Sequence, residues 1–181
     1  LTNDFTFTFD VPGAMSPGVV TMDAGYDAIE LTNSSPLVTS GAASPGTMRI
    51  FEPAVLSVGP VIVMPNAVSA GQSGITASAV ITNGSSGATS PAAINKIELI
   101  LIGPNANMID TVRVNPPTMP FTLAGGQSLQ AQFSLDVPSD FPANPVSTIN
   151  VIINAIATDA TSGVPISDAS DVPGTCLLYT S

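Results

Sequence analysis

From Leu129 to Val137 every odd position is apolar and every even position polar, so Leu, Ala, Phe, Leu and Val alternate with Gln, Gln, Ser and Asp. Side chains of an extended strand point to opposite faces in turn, and nine residues of period two are what a strand with one buried face requires. Phe5, Phe7, Phe9 and Val11 repeat the pattern near the start, and Ile75, Ala77, Ala79 and Ile81 repeat it again. The run Ile97–Ile102 is apolar almost throughout, which predicts a central strand covered on both sides, and 146–158 is long enough for one long strand or two bent ones. Turn formers separate these runs: Pro60, Pro65, Gly71, Asn83-Gly84, Gly103-Pro104, Pro116-Pro117, Gly125-Gly126 and Gly163. No segment keeps apolar residues at i, i+3, i+4 and i+7 without Pro or Gly, and a single helical turn at 139–141 is the most that the pattern allows. The expected fold class is all-β, an antiparallel β-sandwich.

The same unit occurs about one and a half times. Phe7-Thr8-Phe9-Asp10-Val11-Pro12 has its counterpart in Phe133-Ser134-Leu135-Asp136-Val137-Pro138, 126 positions later. Asp27-Ala28-Ile29 meets Asn154-Ala155-Ile156 after 127, and Pro45-Gly46-Thr47 meets Pro173-Gly174-Thr175 after 128. Three landmarks in one order predict an internal repeat of about 127 residues. Residues 1–48 then form the C-terminal half of a preceding β-sandwich repeat, and 49–175 form one complete sandwich. Half a sandwich exposes strand edges and an apolar face, so it must pack on the complete domain, borrow a strand from another chain, or be unstable. Residues 176–181, Cys-Leu-Leu-Tyr-Thr-Ser, leave the Asp/Ser/Pro style before them and resemble translated read-through of a sequencing adapter. On that reading the tail is non-native; the alternative is a genuine last strand.

Composition excludes several classes of partner. Of 181 residues, 13 are acidic and 3 basic, a net charge of −10, whereas nucleic-acid and anionic-membrane binding depend on Lys and Arg. No apolar run approaches the ~18 residues of a membrane-spanning helix. Charged residues make up 9% against roughly 25% in an average soluble domain, so Ser, Thr, Asn, Gln and Gly must supply the polar surface. That surface suits an extracellular sandwich.

Residues 54–160 resemble the CARDB-type domains, a cell-adhesion-related, immunoglobulin-like group of bacterial and archaeal surface proteins. The resemblance rests on Ala54-Val55-Leu56-Ser57-Val58, on Val68-Ser69-Ala70-Gly71-Gln72-Ser73 before a strand, on Ile75–Thr82 ending in Asn83-Gly84, and on Leu123-Ala124-Gly125-Gly126-Gln127-Ser128. The loop Asn83-Gly84-Ser85-Ser86-Gly87 is longer and more polar than that group's usual turn. The resemblance implies an Ig-like fold, display at the cell surface, adhesion or spacing, and no catalytic residues.

Chemistry-bearing residues are few. With no histidine and one cysteine, Ser-His-Asp and Cys-His catalysis are excluded and zinc nearly so. Gly125-Gly126 lacks the Lys and helix of a phosphate loop. Paired carboxylates could serve glycoside hydrolysis, but the chain has no Trp and only Tyr26 and Tyr179 as tyrosines. Asp159, Asp168 and Asp171, with Asp136 and Asp140, are the candidate calcium ligands, because Asp159-Ala160-Thr161-Ser162-Gly163 is an oxygen-rich turn. Solvated carboxylates and Asx turns at strand ends are the competing account. Asn33-Ser34-Ser35 and Asn83-Gly84-Ser85 match the N-glycosylation pattern. The Phe5, Phe7, Phe9 stripe is expected to face a core.

The sequence therefore predicts a non-enzymatic structural or adhesive module of a secreted or cell-surface prokaryotic repeat protein, with no cofactor. Its expected partners are neighbouring repeats, identical subunits, or a protein or glycan ligand. The alternatives are a carbohydrate- or calcium-binding accessory module of an extracellular enzyme, and a filament subunit assembling by strand exchange.

Overall fold

Alternation becomes ladder pairing in the computed structural model of the chain, which describes residues 6–13, 15–29, 31–39, 45–103, 119–137, 139 and 146–179. The chain divides into two compact units, Leu1–Phe51 and Glu52–Ser181. No helix occurs among the described residues. The expected helical turn at 139–141 lies almost wholly outside them.

The first unit holds β1 (Gly18–Met22), β2 (Tyr26–Ile29), β3 (Pro36–Thr39) and β4 (Gly46–Ile50), paired antiparallel as β1 with β4 and β2 with β3. The second holds β5 (Leu56–Val58), β6 (Ile62–Met64), β7 (Ala67–Ser69), β8 (Ile75–Asn83), β9 (Ala92–Ile102), β10 (Phe121–Leu123), β11 (Ser128–Leu135), β12 (Val146–Asp159), β13 (Pro165–Ala169) and β14 (Gly174–Tyr179).

Two sheets of the second unit share one core. In the smaller, β8 pairs with β11 along one edge, while β5 and β6 divide its other edge. In the larger, β12 pairs with β9 along one edge, and β14 and β13 divide the other; β10 lies beyond β9, and β7 lies parallel beyond β14. Each divided edge has a proline at its break, Pro60 and Pro173, which cannot donate to a ladder. The two breaks are tied together, because Val61 N–H donates to the Val172 carbonyl at 3.2 Å and Val58 N–H to Asp168 Oδ2 at 2.7 Å.

The alternating positions point inward as their period requires. Ile75, Ala77, Ala79 and Ile81 of β8 and Phe133 and Leu135 of β11 are buried against Ile94, Leu99, Ile153 and Leu178 of the facing sheet. Burying one such aliphatic side chain stabilises the fold by about 1.5–3 kcal/mol. β9 departs from the expectation of cover on both sides: Ile97 and Leu99 are buried, but Ile100 and Ile102 are half-exposed. A two-layer sandwich has no third layer to cover that outer face. At the opposite end of β8 the turn 124–127 closes on the loop after Asn83. A Cβ on Gly125 would collide with the Thr89 carbonyl oxygen, so only glycine fits there.

Two further expectations need correction. Residues 6–12 form no strand, and Phe7 and Phe9 are 71% and 58% exposed instead of facing a core. Alternation is expressed as a strand only where a partner supplies the ladder, and no described strand pairs with these residues; Phe5 lies outside the described residues. At the other end, the sheet does not stop at Thr175. Gly174–Tyr179 is β14, between β12 and β7, with Cys176 3% and Leu178 0% exposed, because Cys176 and Leu178 continue the period-two pattern on the inner face.

The antiparallel pairings of the first unit can be set beside two ladders of the second. Met22 opposite Gly46 in β1·β4 corresponds to Val151 opposite Gly174 in β12·β14. Ile29 opposite Pro36 in β2·β3 corresponds to Thr158 opposite Pro165 in β12·β13. The joining turns also agree. The Asn33 side chain accepts from Ser35 N–H, as the Ser162 hydroxyl accepts from Val164 N–H, and the residue between is left-handed in both, Ser34 at φ 58° and Gly163 at φ 74°.

Candidate functional site

Asp159 ends β12 inside the protein, 3% exposed. A carboxylate so placed needs donors, and the turn after it provides two: Thr161 N–H and Ser162 N–H reach Oδ1 at 2.8 and 2.9 Å. The Ser90 hydroxyl donates to the same oxygen at 2.8 Å, and Ala54 N–H donates to Oδ2 at 2.7 Å. Burial alone would raise this carboxyl, but the hydrogen bonds from Ala54, Ser162, Ser90 and Thr161 outweigh it and hold the pKa at about 2. Asp159 therefore fastens the strand entering at Ala54 and the loop at Ser90 to the end of β12.

Asn83 is a second buried joint, with 0% exposure. Its Nδ2 donates to the Ser90 and Leu123 carbonyls at 2.9 Å each, and its Oδ1 accepts from Val55 N–H at 3.3 Å. The Asn-Gly dipeptide signals a turn in the sequence, but nothing in it signals a buried amide. A side chain so enclosed offers no access to a glycan, so the pattern Asn83-Gly84-Ser85 is not an acceptor in the folded chain.

The other aspartates do not gather around Asp159. Asp168 lies opposite Ala155, four residues or about 13 Å of strand before Asp159. Its Oδ2 is engaged by Val58 N–H. Asp171 is exposed in the bend before β14, Asp136 Oδ1 accepts from Gly74 N–H at 3.1 Å, and Asp140 lies outside the described residues. Among the described residues no three His, Cys, Asp or Glu side chains form a set that could hold a metal ion. Millimolar calcium is expected to leave the melting temperature unchanged, and a rise that Asp168→Asn abolishes would assign an ion to these carboxylates. Cys176 is buried, and burial pushes its thiol up, away from the reactive thiolate.

The first unit carries a groove of about 740 Å³, lined by Phe7, Phe9, Val11, Val20, Met22 and Met48 among others. Its apolar walls and three methionines, Met15, Met22 and Met48, make an adaptable hydrophobic surface. The expected repeat aligns these residues with a buried set in the second unit. Their counterparts are Phe133, Leu135, Val137, Ile149, Val151 and Cys176, all at most 8% exposed in the core of the second unit. The Phe stripe carries this signal in the sequence, but periodicity alone cannot tell a covered face from an uncovered one.

The geometry defines an all-β protein whose larger unit is a two-sheet antiparallel sandwich. No protein-family model matches the chain, and no curated protein matches it. Among solved structures it is similar to Spo0M, a sporulation control protein from Bacillus subtilis, with 17% identity and a TM-score of 0.42 over 70% of this chain and 49% of that one. The chain thus spans about half the length of Spo0M. It is also similar to an ApaA protein from Bordetella pertussis, with 18% identity and a TM-score of 0.43 over 72% of this chain and 97% of that one. Neither likeness carries a statement about activity.

Proposed function

We propose that this chain is a non-enzymatic structural or adhesive module of a cell-surface repeat protein, built from Ig-like sandwiches of the CARDB-like type. The observation that carries the reading is the repetition of β12–β13–β14 by β1–β4 in register and in turn geometry. Units multiplied along one chain build length and surface. The larger sheet runs β10-β9-β12-β14-β7 and the smaller β11-β8-β5, an order that supports an Ig-like reading, with a parallel pair between an early strand and the last. The buried carboxylate is consumed by four protein donors and serves cohesion rather than turnover. A net charge of −10 and a surface rich in Ser and Thr suit exposure outside the cell.

The reading frame that encodes the chain tests the proposal. Further in-frame units of about 127 residues without a catalytic domain are the expected result. A hydrolase fused beside a single unit would overturn it in favour of an accessory module.

A further inference from the structure

Asn83-Gly84 is the one Asn-Gly dipeptide in the sequence, and its chemistry is at odds with its place in the fold. In an open chain the Gly84 nitrogen, unshielded by a Cβ, can attack the Asn83 side-chain carbonyl carbon. A new Cγ–N bond then replaces the Cγ–Nδ2 bond, a succinimide ring closes, and the Gly84 proton leaves with the side-chain nitrogen as ammonia. Water opens the ring to aspartate or isoaspartate, which makes asparagine a thermolabile residue. The fold nevertheless requires both residues. Only an amide of this length can donate to the Ser90 and Leu123 carbonyls and accept from Val55 N–H. Gly84 is left-handed at φ 61°, and a Cβ on it would stand 2.5 Å from Thr89 Oγ1.

The same contacts restrain the reacting atoms. Val55 holds two of them: its N–H donates to Asn83 Oδ1 at 3.3 Å, and its carbonyl accepts from Gly84 N–H at 2.7 Å. The nucleophile must first lose the proton that this second bond engages. The leaving nitrogen is held by two carbonyls. The main chain is fixed as well, with Asn83 N–H on the Gln127 carbonyl at 3.0 Å and the Asn83 carbonyl on Gly126 N–H at 2.7 Å. Swinging the carboxamide onto Gly84 would break its three side-chain bonds at a residue that is fully buried. We infer that Asn83 is a site of spontaneous deamidation that the folded second unit holds closed and unfolding opens, with water as the co-reactant. Each product opposes return to the fold. Aspartate sets a carboxylate against two carbonyls, and isoaspartate adds one carbon to the main chain where Gly126 and Gln127 bind it. Unfolding of this unit is thus recorded covalently and becomes irreversible with time. The inference is independent of the proposed surface role.

The test incubates the whole protein at mildly alkaline pH across a urea series and follows Asn83 by peptide mass spectrometry with isoaspartate detection. Conversion in the unfolded chain is expected to be faster than in the folded one by roughly a hundredfold or more, and to follow the unfolded fraction between these limits. Equal rates in the two states would overturn the proposal, as would an unfolded chain that keeps its amide. After return to buffer, size-exclusion chromatography separates refolded from unrefolded chains, and converted Asn83 is expected to be enriched roughly tenfold in the unrefolded ones. An equal share in both would overturn the claim of irreversibility. A Gly84→Ala variant, compared with wild type only in the unfolded state so that its own folding does not matter, is expected to convert at roughly a tenth of the rate. An unchanged rate there would show that the Gly84 nitrogen is not the attacking group.

Discussion

Replacing Asp159 by Asn is expected to lower stability by about 3 kcal/mol, and by Ala about 4 kcal/mol, because four donors, two of them buried, lose a charged acceptor. For a unit of this size that is a fall in melting temperature of roughly 10–15 °C, read by circular dichroism or calorimetry. Asn keeps one oxygen but turns an amide N–H₂ toward Ala54 N–H, so it is no conservative exchange. The acid dependence separates this account from simple packing loss. Asp159 has a pKa of about 2 in the folded chain, against roughly 3.9 when unfolded. A carboxyl depressed by folding contributes stability that is complete above the unfolded value and lost as pH falls through the folded one. The gap between wild type and Asp159→Asn should therefore narrow by about 2 kcal/mol between pH 6 and pH 2. A gap that stays constant over that range would refute the charge-based account.

Asn83→Asp is expected to show the opposite pH response. It sets a carboxylate oxygen against the Ser90 and Leu123 carbonyls, where the amide now donates. The ionised form is repelled and the protonated form can donate to one of the two, so folding raises this carboxyl. Stability is then lost as pH rises. At pH 7 the variant should be about 4 kcal/mol less stable than wild type, recovering in part near pH 4. Asn83→Ala, which removes the same bonds without adding charge, should lose about 3 kcal/mol with no such recovery. A pH-independent loss in Asn83→Asp would show that the side chain does not face those carbonyls.

The sheets of the second unit are legible in the sequence because their chemistry is local and periodic. Ile75–Ile81 and Ala131–Leu135 alternate in sequence and pair with each other in the fold. The expected repeat has one register by sequence landmarks and another by strand pairing. The landmark Asp27-Ala28-Ile29 aligns by sequence with Asn154-Ala155-Ile156, whereas the pairings place Ala28 with Ala157 and Ile29 with Thr158. A slip of two residues keeps every side chain on the same face, so hydrophobic pattern cannot detect it; the turn geometry at Ser34 and Gly163 does. The buried joints are the least visible. In sequence Asp159 is an oxygen-bearing turn residue, and its partners Ala54 and Ser90 stand 105 and 69 positions away. Asn83 resembles half of a turn because its three partners, at Val55, Ser90 and Leu123, are brought together only by the assembled sheets.

The parallel pairing of β7 with β14 has a mechanical meaning. Three positions are matched, Ala67 with Leu177, Val68 with Leu178 and Ser69 with Tyr179. β7 follows β5 and β6 in the entering half of the unit, and β14 is the last of its described strands. Once β5 and β6 are drawn off β8, tension along the chain draws β7 and β14 past each other in opposite senses, so their hydrogen bonds are loaded side by side and must yield together. An antiparallel hairpin pulled at its open end would instead lose its bonds singly, in sequence. The order of strands in this sheet thus converts a stretch along the chain into shear.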